Sequence, residues 1–177
     1  MPDYSIDPDV QTKEGEGKRM LNHVPILLAE DDQNDIELMR RAFGAAAIPN
    51  PLLVVENGKE AVEYLGGKGM FQDRKKHPVP GLVLLDLKLP WMDGFDVLIW
   101  LRRQQQFQTL PVVVLTSSKL QSDIDRSRLL GVYDYRVKPN GFQHLVVLLK
   151  DITDRWLDER FNTFTPLIEA QSAQSHI

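Results

Sequence analysis

Residues 82–85 form a short, uninterrupted apolar run, Leu-Val-Leu-Leu, which ends at Asp86. A run of this length without alternating polar residues is typical of a strand that is buried on both faces of a parallel sheet. An unpaired carboxylate is strongly disfavoured inside such a strand, so Asp86 is predicted to lie where the strand emerges. Ligands of open α/β sheets bind outside the carboxyl ends of the strands. The sequence therefore predicts that Asp86 faces a binding or reaction site.

Similar apolar runs recur along the chain and are separated by segments whose apolar residues have helical spacing. The predicted strands cover residues 23–29, 52–55, 82–85, 112–115 and 132–137. Parallel neighbouring strands need right-handed crossover connections, which helices supply. Five strands that alternate with five helices therefore predict an α/β fold, built on a doubly wound parallel sheet.

Two of the connecting segments carry further expectations. Asn34 or Asp35 is predicted to cap the helix after the first strand, because such side chains accept hydrogen bonds from the free N–H groups of a first turn. The connection from residue 66 to residue 80 is long, carries charges of both signs and contains two prolines. We expect this connection to be mobile.

Polar residues follow four of the five predicted strands. Glu30 and Asp31 follow the first strand, Asp86 the third, Thr116 the fourth and Lys138 the fifth. Because the carboxyl ends of parallel strands meet at one edge of the sheet, these side chains are predicted to converge on one site.

The chemistry of these residue types suits phosphoryl transfer. A carboxylate such as that of Asp86 can attack phosphorus and form an acyl phosphate. Asp31 beside it would concentrate negative charge, at about 4 kcal/mol for a pair 4 Å apart at an effective dielectric near 20. Mg²⁺ would offset that charge, since it takes oxygen ligands and is held by one or two carboxylates with phosphate oxygens. Lys138 and Thr116 would stabilise the phosphoryl oxygens as cation and hydroxyl donor.

Composition excludes several other functions. The net charge of −4 offers no general attraction to polyanions, so we expect no nucleic-acid partner. The absence of cysteine excludes disulfides and cysteine metal sites. No apolar run is long enough for a membrane span or signal peptide, so we expect no membrane partner and a cytoplasmic location.

Four motifs together resemble the receiver domains of bacterial two-component response regulators. ILLAEDD, LVLLDLKLPWMDG, VVVLTSS and YRVKP occur in the family's order and spacing. The resemblance implies a flavodoxin-like fold with five helices and strand order 2-1-3-4-5. It also implies that a sensor histidine kinase phosphorylates Asp86, and that the protein turns over no separate substrate. No cofactor other than Mg²⁺ is implied.

The resemblance assigns roles to individual residues around the metal. It makes Asp31 and Asp86 direct Mg²⁺ ligands, Glu30 a ligand through water, and the backbone carbonyl of Lys88 a further ligand.

It also assigns a switch. Thr116 and Tyr135 would move on phosphorylation and change the face formed by the fourth helix, the fifth strand and the fifth helix. The Lys138–Pro139 bond would be cis, as in the family.

The resemblance covers residues 24–156, which would form the receiver domain. Residues 1–23 have no apolar period and are expected to be a flexible extension. Residues 157–177 form a C-terminal extension too short for a helix-turn-helix or winged-helix domain. Val147 and Leu148 of the fifth helix, with Phe161 and Phe164 of the extension, give an apolar surplus. This surplus predicts a homodimer, with the extension packed on a second copy or folded back on its own domain.

A narrower resemblance is carried by the run DLKLPWMDGFDVL, the long connection before the third strand, and the C-terminal extension. These look most like the stand-alone regulators that partner bacterial and cyanobacterial phytochromes, which implies a phytochrome kinase as phosphodonor. Two alternatives remain. A haloacid dehalogenase-type phosphatase needs a second acid where Lys88 stands, and a phosphate-independent docking module would not need the full set of chemical residues.

Overall fold

A five-stranded parallel sheet lies at the centre of the computed structural model, which describes residues 23–156. The strands are β1 (Ile26–Ala29), β2 (Leu52–Val55), β3 (Leu82–Leu85), β4 (Val112–Thr116) and β5 (Asp134–Val137). Their order is β2-β1-β3-β4-β5, and every neighbouring pair is parallel. The fold, strand order and pairing expected from the sequence are confirmed.

Five α-helices occur within the described residues and follow the strands in turn. They are α1 (Gln33–Ala45), α2 (Gly58–Gly66), α3 (Gly94–Arg103), α4 (Gln121–Leu129) and α5, which covers residues 142–156. Short 3-10 turns occupy Gly69–Phe71 and Gln105–Phe107. None of the helices in residues 23–156 is long and apolar enough to span a membrane.

The helices cover both faces of the sheet, and alternate strand residues enter two separate cores. In β1, Leu27 and Ala29 pack with side chains of α2 and α3. Ile26 and Leu28 point to the other face and pack with side chains of α1 and α5. Because β1, β3 and β4 are buried on both faces, their sequences have no polar alternation.

The connection between α2 and β3 is held in place, unlike the mobile segment expected from its length and charge. The Arg74 guanidinium donates to the carbonyls of Tyr64 (2.7 Å) and Leu65 (2.6 Å) in the last turn of α2, where carbonyls lack a full set of helical partners. The Tyr64 hydroxyl donates to the Pro78 carbonyl at 2.9 Å. Arg74, which the sequence places in a charged segment, therefore caps the carboxyl end of α2.

Two other expectations differ from the structure, and two lie outside it. The Lys138–Pro139 bond is trans, like every peptide bond in residues 23–156, so the cis prediction is wrong; the trans form is the lower-energy one even before proline. Leu148 of α5, expected to add to the apolar surplus at the surface, is half-buried against the core that α1 and α5 share. The expectations for the N-terminal extension before residue 23 and for residues 157–177, including Phe161 and Phe164, lie outside the described residues.

Candidate functional site

Asp86 directly follows β3 at the carboxyl edge of the sheet and is buried. Its Oδ1 accepts hydrogen bonds from the Thr116 hydroxyl at 2.8 Å and from the Lys88 backbone N–H at 3.1 Å. Its Oδ2 accepts from the Lys138 ammonium at 2.8 Å. Three donors from the ends of β3, β4 and β5 therefore fix the orientation of this carboxylate.

The Lys138 ammonium lies among three carboxylates. Nζ donates to Glu30 Oε2 at 2.5 Å, to Asp35 Oδ2 at 2.7 Å and to Asp86 Oδ2 at 2.8 Å. Burial acts to lower the pKa of Lys138, but the hydrogen bonds to Asp35, Asp86 and Glu30 outweigh it and raise that pKa. The side chain is therefore a fixed cation at the edge of the sheet.

Glu30, which directly follows β1 and contacts the Lys138 ammonium, is the most buried acid of the site. Burial raises the pKa of Glu30, while the hydrogen bond and charge of Lys138 act in the opposite direction. Its other oxygen, Oε1, accepts from the Asp32 backbone N–H at 3.3 Å. A buried carboxylate at this position is stabilised by its cation and by the backbone that leads into α1.

The cap of α1 is Asp32, so the prediction of Asn34 or Asp35 is wrong. Oδ1 of Asp32 accepts from the N–H groups of Asn34 (2.8 Å) and Asp35 (3.2 Å). These hydrogen bonds hold the pKa of Asp32 below its usual value. With the cap supplied by Asp32, Asp35 lies in the first turn of α1, and its side chain reaches Lys138.

The segment from Asp86 to α3 depends on glycine where backbones meet. A Cβ on Gly94 would lie 2.4 Å from the Asp86 carbonyl oxygen, closer than any side chain can approach. Asp93 caps α3 by accepting from the Asp96 N–H at 2.8 Å. Between them and Asp86, Trp91 has a left-handed backbone (φ +66°) and is 82% exposed. The Met-Asp-Gly turn thus places α3 directly against the backbone of Asp86.

Thr116 and Tyr135, the two expected switch residues, belong to one hydrogen-bonded region. Thr116 is fully buried and points to Asp86. Half-buried Tyr135 donates from its hydroxyl to the Ser118 carbonyl at 3.1 Å, two residues beyond Thr116. Burial raises the pKa of Tyr135, so the hydroxyl keeps its proton. The Ser118 hydroxyl donates to Asp123 at 2.5 Å, which extends the network to α4.

The metal ligands implied by the resemblance lie at the ends of β1 and β3 and differ in burial. Glu30 and Asp86 meet at Lys138, whereas Asp31 is exposed and Lys88 contacts Asp86 only through its N–H, with its side chain at the surface. No group of three Asp, Glu or His side chains within residues 23–156 is arranged to hold a metal ion.

The chemistry of the same residues nevertheless fits a hard divalent cation. Three carboxylates, those of Glu30, Asp35 and Asp86, contact the Lys138 ammonium, and a fourth acid, Asp31, follows Glu30 in the chain. Every donor of this set is an oxygen, which is the ligand type of Mg²⁺. The acids exceed the cation in number, so added positive charge would be stabilised here.

Asp35 is the site residue that sequence reasoning missed. Its acid side chain was interpreted as a helix cap because Asp is frequent at that position. The available signal was Asp32, which precedes it by three residues and is an equally good cap. If Asp32 is the cap, Asp35 falls in the first turn of α1, next to the strand ends.

Comparison with known proteins identifies the family. The response regulator receiver domain matches residues 26–150. This chain belongs to that family. The narrower resemblance, to the stand-alone response regulators of phytochromes, is also confirmed. The relatives of this chain include regulators of phytochrome and bacteriophytochrome systems.

Three of these relatives are informative. Response regulator Rcp1 of Synechocystis sp. (strain ATCC 27184 / PCC 6803 / Kazusa) is 32% identical over 75% of this chain and 88% of its own length. The solved structure of the Mn(2+)-bound form of response regulator Rcp1 has a TM-score of 0.68 and covers 76% of this chain and 94% of the Rcp1 chain. Phosphorylated RcpA, a cyanobacterial phytochrome response regulator, is 35% identical with a TM-score of 0.70, covering 76% and 94%. The bacteriophytochrome response regulator RtBRR is 42% identical with a TM-score of 0.64, covering 73% and 77%.

Proposed function

We propose that this receiver domain accepts a phosphoryl group on Asp86 from a sensor histidine kinase, in the presence of Mg²⁺. The observation that carries the proposal is the environment of Asp86. A buried carboxylate at the end of the central strand is held by a hydroxyl, a backbone N–H and a fixed ammonium. These are the groups that stabilise developing charge on phosphoryl oxygens.

Phosphoryl transfer would proceed by direct attack of the carboxylate. One oxygen of Asp86 forms a bond to phosphorus, the P–N bond of the phosphohistidine breaks, and its electron pair stays on the imidazole nitrogen. Lys138 and Thr116 then donate to the transferred group. Asp31, Asp86, Glu30 through water and the Lys88 carbonyl would hold Mg²⁺. When bound, the ion offsets the charge of the acids and of the phosphoryl oxygens.

The signal would leave the site through Thr116 and Tyr135. Withdrawal of the Thr116 hydroxyl toward a phosphoryl group would disturb the segment whose Ser118 carbonyl binds the Tyr135 hydroxyl. Because Ser118 also contacts Asp123 of α4, the disturbance would reach the surface formed by α4, β5 and α5. A kinase of the phytochrome type is proposed as donor, supported by the names of the relatives.

Chemical phosphorylation tests this function without the kinase. The full chain incubated with acetyl phosphate and Mg²⁺ is expected to gain one phosphoryl group, measured by intact-mass spectrometry. A chelator should abolish the gain, because Lys138 alone leaves the acids of the site in excess. An unmodified chain would favour the phosphate-independent docking module. Sustained release of phosphate from small phosphate esters would favour the phosphatase.

We further propose a homodimer that uses the face of α5. Val147 is 68% exposed there, and Leu129 of α4 is exposed as well. Apolar side chains that remain at the surface of one domain are stabilised when a second copy covers them.

Sedimentation of the full chain at micromolar concentration is expected to show a dimer before phosphorylation. A chain ending at Trp156 should dimerise more weakly, and Val147→Asp in the full chain should weaken the dimer by placing a charge in the contact. A full chain that sediments as a monomer would refute the dimer.

A further inference from the structure

Asp35 makes a contact with Lys138 that the phosphoryl chemistry does not require. The side chains of the other two partners, Glu30 and Asp86, are 2% and 7% exposed, but that of Asp35 is 40% exposed. The Asp35 Oδ2 nevertheless lies 2.7 Å from Nζ, as close as the Asp86 oxygen. The cation is therefore shared between two buried acids and one acid at the rim of the site.

The hydrogen-bonding capacity of Lys138 is already full. An ammonium group has three N–H donors, and here they go to Glu30, Asp35 and Asp86. A phosphoryl oxygen that binds Lys138 must therefore replace one of these acceptors or share its donor.

Glu30 and Asp35, the two acceptors that stay carboxylates when Asp86 is phosphorylated, differ in what their release leaves behind. Release of Glu30 would leave a buried carboxylate without its cation, which is strongly unfavourable. Release of Asp35 would leave a carboxylate that water can reach, since 40% of its side chain is exposed. Of these two acids, Asp35 is therefore the one that Lys138 can release at the lower cost.

Asp35 is also free for this role, because the helix does not need its side chain as a cap. Asp32 accepts the N–H groups of the first turn. The remaining structural role for Asp35 is a favourable interaction of its charge with the amino end of α1, which is modest at an exposed position. Substitution of another acid in α1 that does not contact Lys138 measures this helix-end effect apart from the contact between Asp35 and Lys138.

We propose that Asp35 is a positioning residue that holds Lys138 in the unphosphorylated protein and gives it up when Asp86 is phosphorylated. This inference rests on the proposed function. Asp35 competes with the phosphoryl group for one donor of Lys138. It thereby stabilises the unphosphorylated state relative to the phosphorylated one.

Binding of beryllofluoride, a phosphoryl analogue, tests the competition in the full chain at saturating Mg²⁺. Asp35→Asn keeps the size of the side chain but replaces the carboxylate with a weaker, neutral acceptor. Its Kd for beryllofluoride is expected to fall about fivefold, as for the loss of a partly exposed ion pair. Glu37→Gln, an equal charge change at an exposed position of the same helix, should change the Kd by less than about twofold. An unchanged or higher Kd for Asp35→Asn overturns the proposal.

A second measurement needs neither metal nor phosphoryl analogue. Asp35→Asn and Lys138→Ala each remove the same contact. In denaturant unfolding, the effect of the double variant on the unfolding equilibrium constant should therefore differ by about threefold from the product of the two single effects. For Glu37→Gln and Lys138→Ala, the effect of the double variant should equal the product of the two single effects. If both pairs multiply, Asp35 does not act through Lys138. Failure of the proposed function looks different: the wild type itself then binds no beryllofluoride, or Asp86→Asn binds it equally well.

Discussion

Asp86→Asn is expected to abolish phosphorylation by acetyl phosphate. The amide has no carboxylate oxygen to attack phosphorus, so no acyl phosphate forms. The fold should persist, because the amide oxygen can still accept from the Thr116 hydroxyl and the Lys88 N–H that Oδ1 binds in the wild type. Intact-mass spectrometry after incubation with acetyl phosphate and Mg²⁺ measures the loss.

Asp96→Asn is the matched control for this change. Asp96 is an exposed acid in the first turn of α3, and only its backbone N–H takes part in the cap by Asp93. The control should be phosphorylated as completely as the wild type. Equal modification of Asp86→Asn and Asp96→Asn would show that the phosphoryl group goes to another residue.

The sequence located the central strands β3 and β4 closely because their signal comes from burial on both faces. The expected range 82–85 coincides with β3, and the expected range 112–115 ends one residue before β4 does. The edge strand β5 begins at Asp134, two residues later than expected, and all of its residues are only half-buried. Where burial is partial, apolar residues continue beyond the ladder, and the pattern no longer marks the end of a strand.

Residues at strand ends could be placed from the sequence because topology alone decides which edge they share. The convergence of Asp86, Thr116 and Lys138 could be predicted without knowing the direction of each side chain. The contacts of Asp35 and Arg74 could not be predicted in this way. Asp35 could cap a helix or bind Lys138, and Arg74 could face solvent or bind backbone carbonyls of α2. Local sequence is compatible with either choice, and the contacts across the fold determine which one occurs.

The metal site shows a similar limit. The excess of acids over cations could be inferred from the motif, and it is present around Lys138. The structure, however, points Lys138 at the carboxylates while Asp31 stays exposed. Charge balance predicts that a cation belongs at this edge, but it does not predict which of the acids contact Lys138.

Gly94→Ala should cause a large loss of stability and also impair phosphorylation. The new Cβ would lie 2.4 Å from the Asp86 carbonyl oxygen and 2.7 Å from the Leu87 Cα. Both are backbone atoms, so the turn into α3 must shift as a unit, at a cost of about 3 kcal/mol in the free energy of unfolding. Displacement of Asp86 from its donors should slow modification by acetyl phosphate about tenfold or more. Denaturant unfolding and the rate of mass gain measure the two effects.

Gly44→Ala provides the control for adding a methyl group to a helix. Gly44 lies in the last turn of α1 with no atom within 4 Å of the added Cβ. Alanine there should stabilise the protein by about 0.5 kcal/mol, because it restricts the unfolded chain and favours the helix. The rate of phosphorylation should not change. If Gly94→Ala unfolds at the same denaturant concentration as Gly44→Ala, the backbone contact between α3 and Asp86 does not hold the site in place.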